Sequence, residues 1–313
     1  MTEQKEVSSQ EPSQLERKLR ENRFVVTAEL GPPKGADPEF VRERARILKG
    51  YADAVNVTDN QRAVVRLSSL ASSLIMMQEG LEPIMQMTCR DRNRIALQSD
   101  LLGACSLGIK NLLCLTGDHQ SMGDHKGAKN VYDVDSIQLL SIIKKMRDEK
   151  KDFAGKELTK APNVFLGAAA NPFADPFEFR VIRLEKKANA GAQFIQTQAV
   201  FDIPRFEKFM ELVRSKDLDK RLHIIAGVLP IKGPKMLRNM KENVAGVSIP
   251  DSLIERLEMA SDKKEEGIKI ALETIETIRK IKGVKGIHIM AVSWEEIIPR
   301  IVKESHLIDV VLE

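Results

Sequence analysis

A glutamate closes the apolar run FVVTAE at 24–29, and an aspartate follows a glycine in TGDH at 116–119. A carboxyl group at the end of an apolar segment is partly withdrawn from water, which suits it to general-acid work. Glu29 is the candidate for that role; the plain alternative is a strand-end carboxylate neutralised by a lysine or arginine. Asp118 follows Gly117, whose missing side chain lets the backbone approach a ligand. Its alternative role is a turn cap. Thr197 and Gln198 end the run FIQTQ with groups that hydrogen-bond either a ligand or each other. Two Gly-Asp-His triplets, at 117–119 and 123–125, bring two aspartates and two histidines close together. No further ligand set accompanies them, so a polar loop is expected there and no metal site.

These residues belong to a repeating pattern of elements. Short apolar runs occupy 24–29, 53–58, 83–88, 111–116, 164–169, 194–198, 222–228 and 286–292. Their β-branched and leucine-rich composition fits strands buried on both faces, as a parallel sheet requires. Helical segments are expected between them, at 40–48, 68–78, 92–107, 136–150, 177–190, 203–215 and 294–303. Eight β–α alternations in 313 residues predict an α/β fold, a (β/α)8 TIM barrel; an open parallel sheet is the alternative. Extra helices are expected between strands seven and eight, where the run 244–249 is a ninth strand-like stretch. In such a barrel the C-terminal strand ends converge on one mouth. That would gather Glu29, Thr58, Gln86, Thr88, Asp118, Ala169, Asn171 and Gln198. His223 and His288, inside apolar runs, are expected to face inward.

The bulk composition narrows the function. The 49 basic and 45 acidic residues are interleaved, and aromatics make up 4%. Neither a duplex-binding stripe nor a base-stacking platform is indicated, so no nucleic-acid partner is expected. Three scattered cysteines supply neither a disulfide framework nor an iron–sulfur cluster. Together with a polar N-terminus and no apolar run of ~18 residues, this points to a cytoplasmic protein without a membrane partner. Residues 1–20 are expected to be disordered or an N-terminal extension, and 21–313 a single catalytic domain. No lysine sits at a strand's C-terminal end, which opposes a Schiff-base aldolase. No GxGxxG or P-loop motif is present.

The ordered series TAELGPP (27–33), VNVTDN (55–60), MTCRDRN (87–93), LCLTGDH (113–119), GAxxxxTQxxFD (191–202) and AGVLPI (226–231) resembles the methylenetetrahydrofolate reductase family. The resemblance runs from about residue 22 to 305, and its wording is similar to the short subunits of acetogen-type anaerobic bacteria. It implies flavin-dependent reduction of 5,10-methylenetetrahydrofolate to 5-methyltetrahydrofolate. By position, Glu29 matches the family's general acid, and Asp118 matches the aspartate near pterin and flavin. Gln198 matches the pterin-binding glutamine. Thr58, Gln86, Thr88, Ala169, Asn171 and Lys187 match cofactor-contacting positions. Gln86 stands where histidine is common, Asn171 where tyrosine is common, and Thr116, Asp175 and Arg180 also depart from better-known members. These departures fall on cofactor contacts, so FMN is expected as readily as FAD. Pro234 stands near the place of a stacking aromatic. Electrons would then come from NAD(P)H or from an iron–sulfur partner protein, and an oligomer is compatible with the resemblance.

Overall fold

The computed structural model describes residues 11–244 and 246–307. Its centre is a closed barrel of eight parallel strands in sequence order. The strands are β1 (Val25–Leu30), β2 (Ala54–Val57), β3 (Pro83–Thr88), β4 (Asn111–Leu115), β5 (Phe165–Ala170), β6 (Phe194–Ala199), β7 (His223–Val228) and β8 (Val284–Ile289). Pairing of β1 with β8, Thr27 opposite His288, closes the ring. The barrel, not the open sheet, is therefore the fold. Around it run α1 (Gln14–Arg20), α2 (Pro38–Leu48), α3 (Ser69–Gln78), α4 (Arg94–Ser106), α5 (Ser136–Glu149), α6 (Phe177–Ala190) and α7 (Ile203–Ser215). Helices α8 (Pro234–Asn243), α9 (Asp251–Met259) and α10 (Lys263–Ile278) fill the interval before β8, and α11 (Ile298–Glu304) follows it.

Alternation along each strand sorts side chains into two sets. The outward set, such as Val26, Val57, Met87, Leu112, Ile195 and Ile287, is buried against the helices. The inward set is layered. At the bottom lie Val25, Ala54, Ile84, Leu113, Phe165, Phe194 and Ile225. The Phe165 and Phe194 rings stack there with centroids 5.0 Å apart. Gly167 is required beside them, because a Cβ would sit 2.1 Å from the Phe194 ring. Above is a polar layer with Thr27, Asn56, Gln86, Gln196 and His288, all buried. At the top, Glu29, Thr58, Thr88, Ala169 and Gln198 edge an open mouth.

One expectation needs correction and another gains detail. Residues 14–20, within the stretch expected to be disordered or an N-terminal extension, form α1, whose Leu15 and Leu19 are buried in the bottom layer. Ser13 caps its start, and the Glu82 carboxylate accepts the Gln14 and Leu15 N–H groups at 2.6 and 2.9 Å. The disorder expected for residues 1–10 lies outside the described residues. The strand-like run 244–249 contributes no strand among the described residues. Val247 and Ile249 owe their apolar character to packing with Leu237, Ile254 and Leu257 outside the barrel. Gly246, at φ +77°, breaks the extended path, and Asn171 occupies the space a Cβ would need. No helix among the described residues is long and apolar enough to cross a membrane.

Candidate active site

Glu29 is half-buried at the end of β1, and its Oε2 lies 3.7 Å from Nε2 of His288. That is ion-pair range but outside hydrogen-bond range. His288 is held from below. Its Nδ1 is 3.0 Å from the Thr27 hydroxyl, which also accepts a hydrogen bond from the Gln196 amide at 3.1 Å. Gln196 and Asn56 exchange two hydrogen bonds, at 2.7 and 2.9 Å. The Gln196 amide protons are thus spent on Thr27 and Asn56. The Thr27 hydroxyl also reaches the Ile287 carbonyl at 3.3 Å, and its contact with His288 Nδ1 holds the imidazole with Nε2 toward Glu29. A satisfied polar layer of this kind fixes side-chain positions.

The opposite rim carries Asp118, exposed on the loop after β4. Its Oδ2 accepts the Arg62 N–H at 3.2 Å. Arg90, 2% exposed, donates to the carbonyls of Asp118 and Asn60 at 3.2 and 3.1 Å, tying the β2 and β4 loops together. Tyr132 donates to the Gly117 carbonyl at 3.2 Å. Asp59 is buried, accepts from both the backbone and the hydroxyl of Thr88 at 2.9 Å, and pairs with Arg92 at 2.7 Å.

The mouth gathers Glu29, Thr58, Gln86, Thr88, Asp118, Ala169 and Gln198 into one cavity of about 360 Å³. The Thr58 hydroxyl is buried there without a hydrogen-bond partner, and the Thr88 hydroxyl is committed to Asp59. Asn171 and Lys187 lie apart from these, in an adjoining pocket with Arg180 and Arg183 that meets the mouth at Ala169 and Gln198. Lys187 donates to the Ala169 carbonyl. Burial, aided by the nearby Arg183, pushes its ammonium down to about 8. Asn171 accepts from the Phe173 N–H at 3.1 Å.

Thr197 does not offer its hydroxyl to a ligand. It donates to the Gln198 carbonyl at 2.8 Å and accepts from the Gly227 N–H at 2.9 Å, bridging the register shift between β6 and β7. Apart from Asp118, the Gly-Asp-His loop is engaged in contacts of its own. His119 caps the turn at Gln120–Met122, and Asp124 pairs with Lys34 at 2.7 Å. No metal-binding cluster of His, Cys, Asp or Glu exists among the described residues. Sequence reasoning missed Arg90 and the Asn56–Gln196 pair. A buried arginine two residues after a strand, and amides at inward strand positions, were the available signals.

A closed parallel barrel with an acid-bearing mouth at its C-terminal strand ends defines a (β/α)8 protein of enzyme type. Residues 14–306 match the family model described as methylenetetrahydrofolate reductase, and the chain belongs to that family. A probable methylenetetrahydrofolate reductase (NADPH) of Caenorhabditis elegans is 24% identical over 257 residues, 78% of this chain and 36% of the relative. The 5,10-methylenetetrahydrofolate reductase of Salmonella typhimurium is 25% identical over 260 residues, 80% of each chain. The chain spans about a third of the length of the nematode relative and of one from Schizosaccharomyces pombe. Among solved structures, an uncharacterized protein from Clostridium thermocellum that binds two copies of 5-methyl-5,6,7,8-tetrahydrofolic acid shares the fold. It superposes with a TM-score of 0.66 at 17% identity, covering 95% of this chain and 100% of that one.

Proposed function

We propose that the chain reduces 5,10-methylenetetrahydrofolate to 5-methyltetrahydrofolate, using a flavin held in the barrel mouth. The observation that supports this most is the setting of Glu29: a carboxyl group at the mouth, backed by His288 and sharing that mouth with Asp118. Glu29 gives its proton to N10 of the bridged folate. The N10–methylene bond breaks, its electron pair stays on N10, and the methylene remains on N5 as an iminium cation. The Asp118 carboxylate, fixed by the Arg62 N–H, stabilises that cation. Gln198, exposed on the rim, hydrogen-bonds the pterin. The chemistry the reduced flavin supplies when bound is hydride delivery to the one-carbon unit.

The residues fit such a group. Thr58 provides a buried hydroxyl without a partner, and Gln86 and Thr88 line the same cavity. Ala169 leaves a wall free of bulk for a planar ring. Lys187, Arg180 and Arg183, beside Asn171, form an adjoining cationic pocket suited to a phosphate. We read this as an FMN site; intact FAD in the mass spectrum of the extracted cofactor would contradict that choice. The reaction is tested by anaerobic oxidation of 5-methyltetrahydrofolate by the flavin-loaded chain with an artificial electron acceptor. Sustained turnover is expected, and its absence from a chain that has bound flavin would overturn the proposal.

A further inference from the structure

Arg90 lines the mouth cavity, and among the described residues no other lysine or arginine does. Its guanidinium is buried and pairs with the exposed Asp91 next to it, whose carboxylate accepts from Nε and Nη2 at 2.8 and 2.7 Å. That pairing raises the Arg90 value above its already high range and keeps the group charged. The remaining bonds run to main chain, from Nη1 to the Asp118 carbonyl at 3.2 Å and from Nη2 to the Asn60 carbonyl at 3.1 Å. The Arg90 carbonyl accepts the Val131 N–H at 2.7 Å, from the far end of the loop on which Asp118 sits. Gly117, at φ +91°, packs so closely that its own Cβ would lie 3.1 Å from the Arg90 Cβ. A buried ion is a costly way to join loops, but the planar fork of arginine reaches a carboxylate and two carbonyls at once.

The facing turn is strained. Asn60, Arg62 and Ala63 have φ of +46°, +58° and +56°, a region unfavourable for residues with a side chain. Arg90 holds the Asn60 carbonyl, the Asp118 carboxylate holds the Arg62 N–H, and the Ala63 carbonyl lies 1.9 Å from where a Cβ on Gly123 would be. Strain over-determined in this way clusters at functional sites. Arg90 thus fixes Asp118 twice, through its carbonyl and through the turn that meets its Oδ2. Among the described residues the Asp118 carboxylate has no ion-pair partner, because Arg90 spends its charge on Asp91.

We infer that Arg90 is a positioning residue for the reaction: it aims the Asp118 carboxylate at the one-carbon unit while leaving the charge of that carboxylate uncancelled. This role rests on the proposed folate reaction, in which that charge stabilises the iminium cation. An arginine bonded to the carboxylate itself would offset the charge just where the cation forms. Bonding the carbonyl, with Asp91 as counter-ion, separates aiming from neutralising. A misplacement of about 1 Å can cost about a hundredfold in rate, so the aim is as consequential as the charge.

The test is a double-mutant cycle of Arg90→Gln and Asp118→Asn, read as the rate at which 5-methyltetrahydrofolate reduces the bound flavin. Each single substitution is expected to slow reduction by about tenfold to a hundredfold, and the double variant to fall within about threefold of Asp118→Asn alone. Arg90→Lys keeps the buried charge, and with it the fold, but offers one nitrogen in place of Nε, Nη1 and Nη2; it is expected to recover only part of the rate. Losses that multiply in the double variant, full rate in Arg90→Lys, or an unchanged rate in Arg90→Gln would each overturn the inference. Amide hydrogen exchange of the flavin-free chain gives a second readout. Arg90→Gln should speed exchange at residues 60–63 and 117–119 and leave the barrel strands unchanged; equal exchange at those two loops would also overturn the inference. If 5-methyltetrahydrofolate fails to reduce the flavin of the unaltered chain, the reaction itself falls, and the exchange measurement still decides whether Arg90 holds the loops.

Discussion

A carboxyl group delivers a proton to one chosen atom only if its surroundings keep it aimed, and for Glu29 that task falls to His288. The chain of contacts from Asn56 through Gln196 and Thr27 to His288 holds the imidazole with Nε2 toward Glu29. Glu29→Gln keeps the shape and removes the acid. It is expected to bind 5-methyltetrahydrofolate but lose roughly 10²–10⁴-fold in turnover, read by the dye-coupled assay. Lys187 gives a pH signature. In the flavin-free chain its ammonium loses its proton near 8, and an anionic cofactor binds the charged form. Flavin affinity should therefore be full below pH of about 8 and decline above it. Fluorescence titration on either side of that value checks this, and Lys187→Met should weaken binding and flatten the dependence. The linked effect on stability has a defined sign. The folded value lies below the ordinary 10.5, so the unfolded chain binds more protons between about 8 and 10.5, and flavin-free stability rises with pH across that window.

Helix α1 shows how an element can be decisive yet nearly silent in sequence. QLERKLR is short and charged, and its apolar signal is Leu15 and Leu19 alone. Its N-terminus is satisfied by Glu82, which is 67 residues away from Leu15, so no local pattern announces it. Leu15→Ala and Leu19→Ala should each cost about 2–5 kcal/mol, measured by denaturant unfolding, because they open the bottom of the barrel. The eight strands were legible because burial on both faces demands continuous apolar runs. The run 244–249 carried the same composition for a different reason, namely packing beneath α8 and α9. At the mouth, Gly123→Ala would drive a methyl into the Ala63 carbonyl and shift the turn that holds Asp118. Folate turnover is expected to fall by up to about a hundredfold, while the melting temperature moves little.

At the scale of the whole molecule, closure of the barrel turns sequence-distant strand ends into one site. Glu29 meets His288, 259 residues along the chain, because β1 pairs with β8. The positions of Glu29, Thr58 and Gln198 at the mouth could be read from the ends of the apolar runs, with Gln86 one layer below and Asp118 on the loop after β4. What could not be read was non-local: the tie from Arg90 to two loops, the strained turn at Asn60–Ala63, and the split between the mouth and its basic side pocket. The same organisation bears on the source of electrons. A self-sufficient reductase accepts them from NADH at the mouth, whereas a subunit of a larger assembly takes them from an iron–sulfur partner. The most direct measurement is the visible spectrum of the flavin-loaded chain during anaerobic addition of 5-methyltetrahydrofolate, with NADH added to a parallel sample. The account requires the flavin band to bleach with 5-methyltetrahydrofolate, whichever donor operates. Bleaching by NADH as well would identify a reductase that needs no partner. A bound flavin that stays oxidised in excess 5-methyltetrahydrofolate would contradict the account.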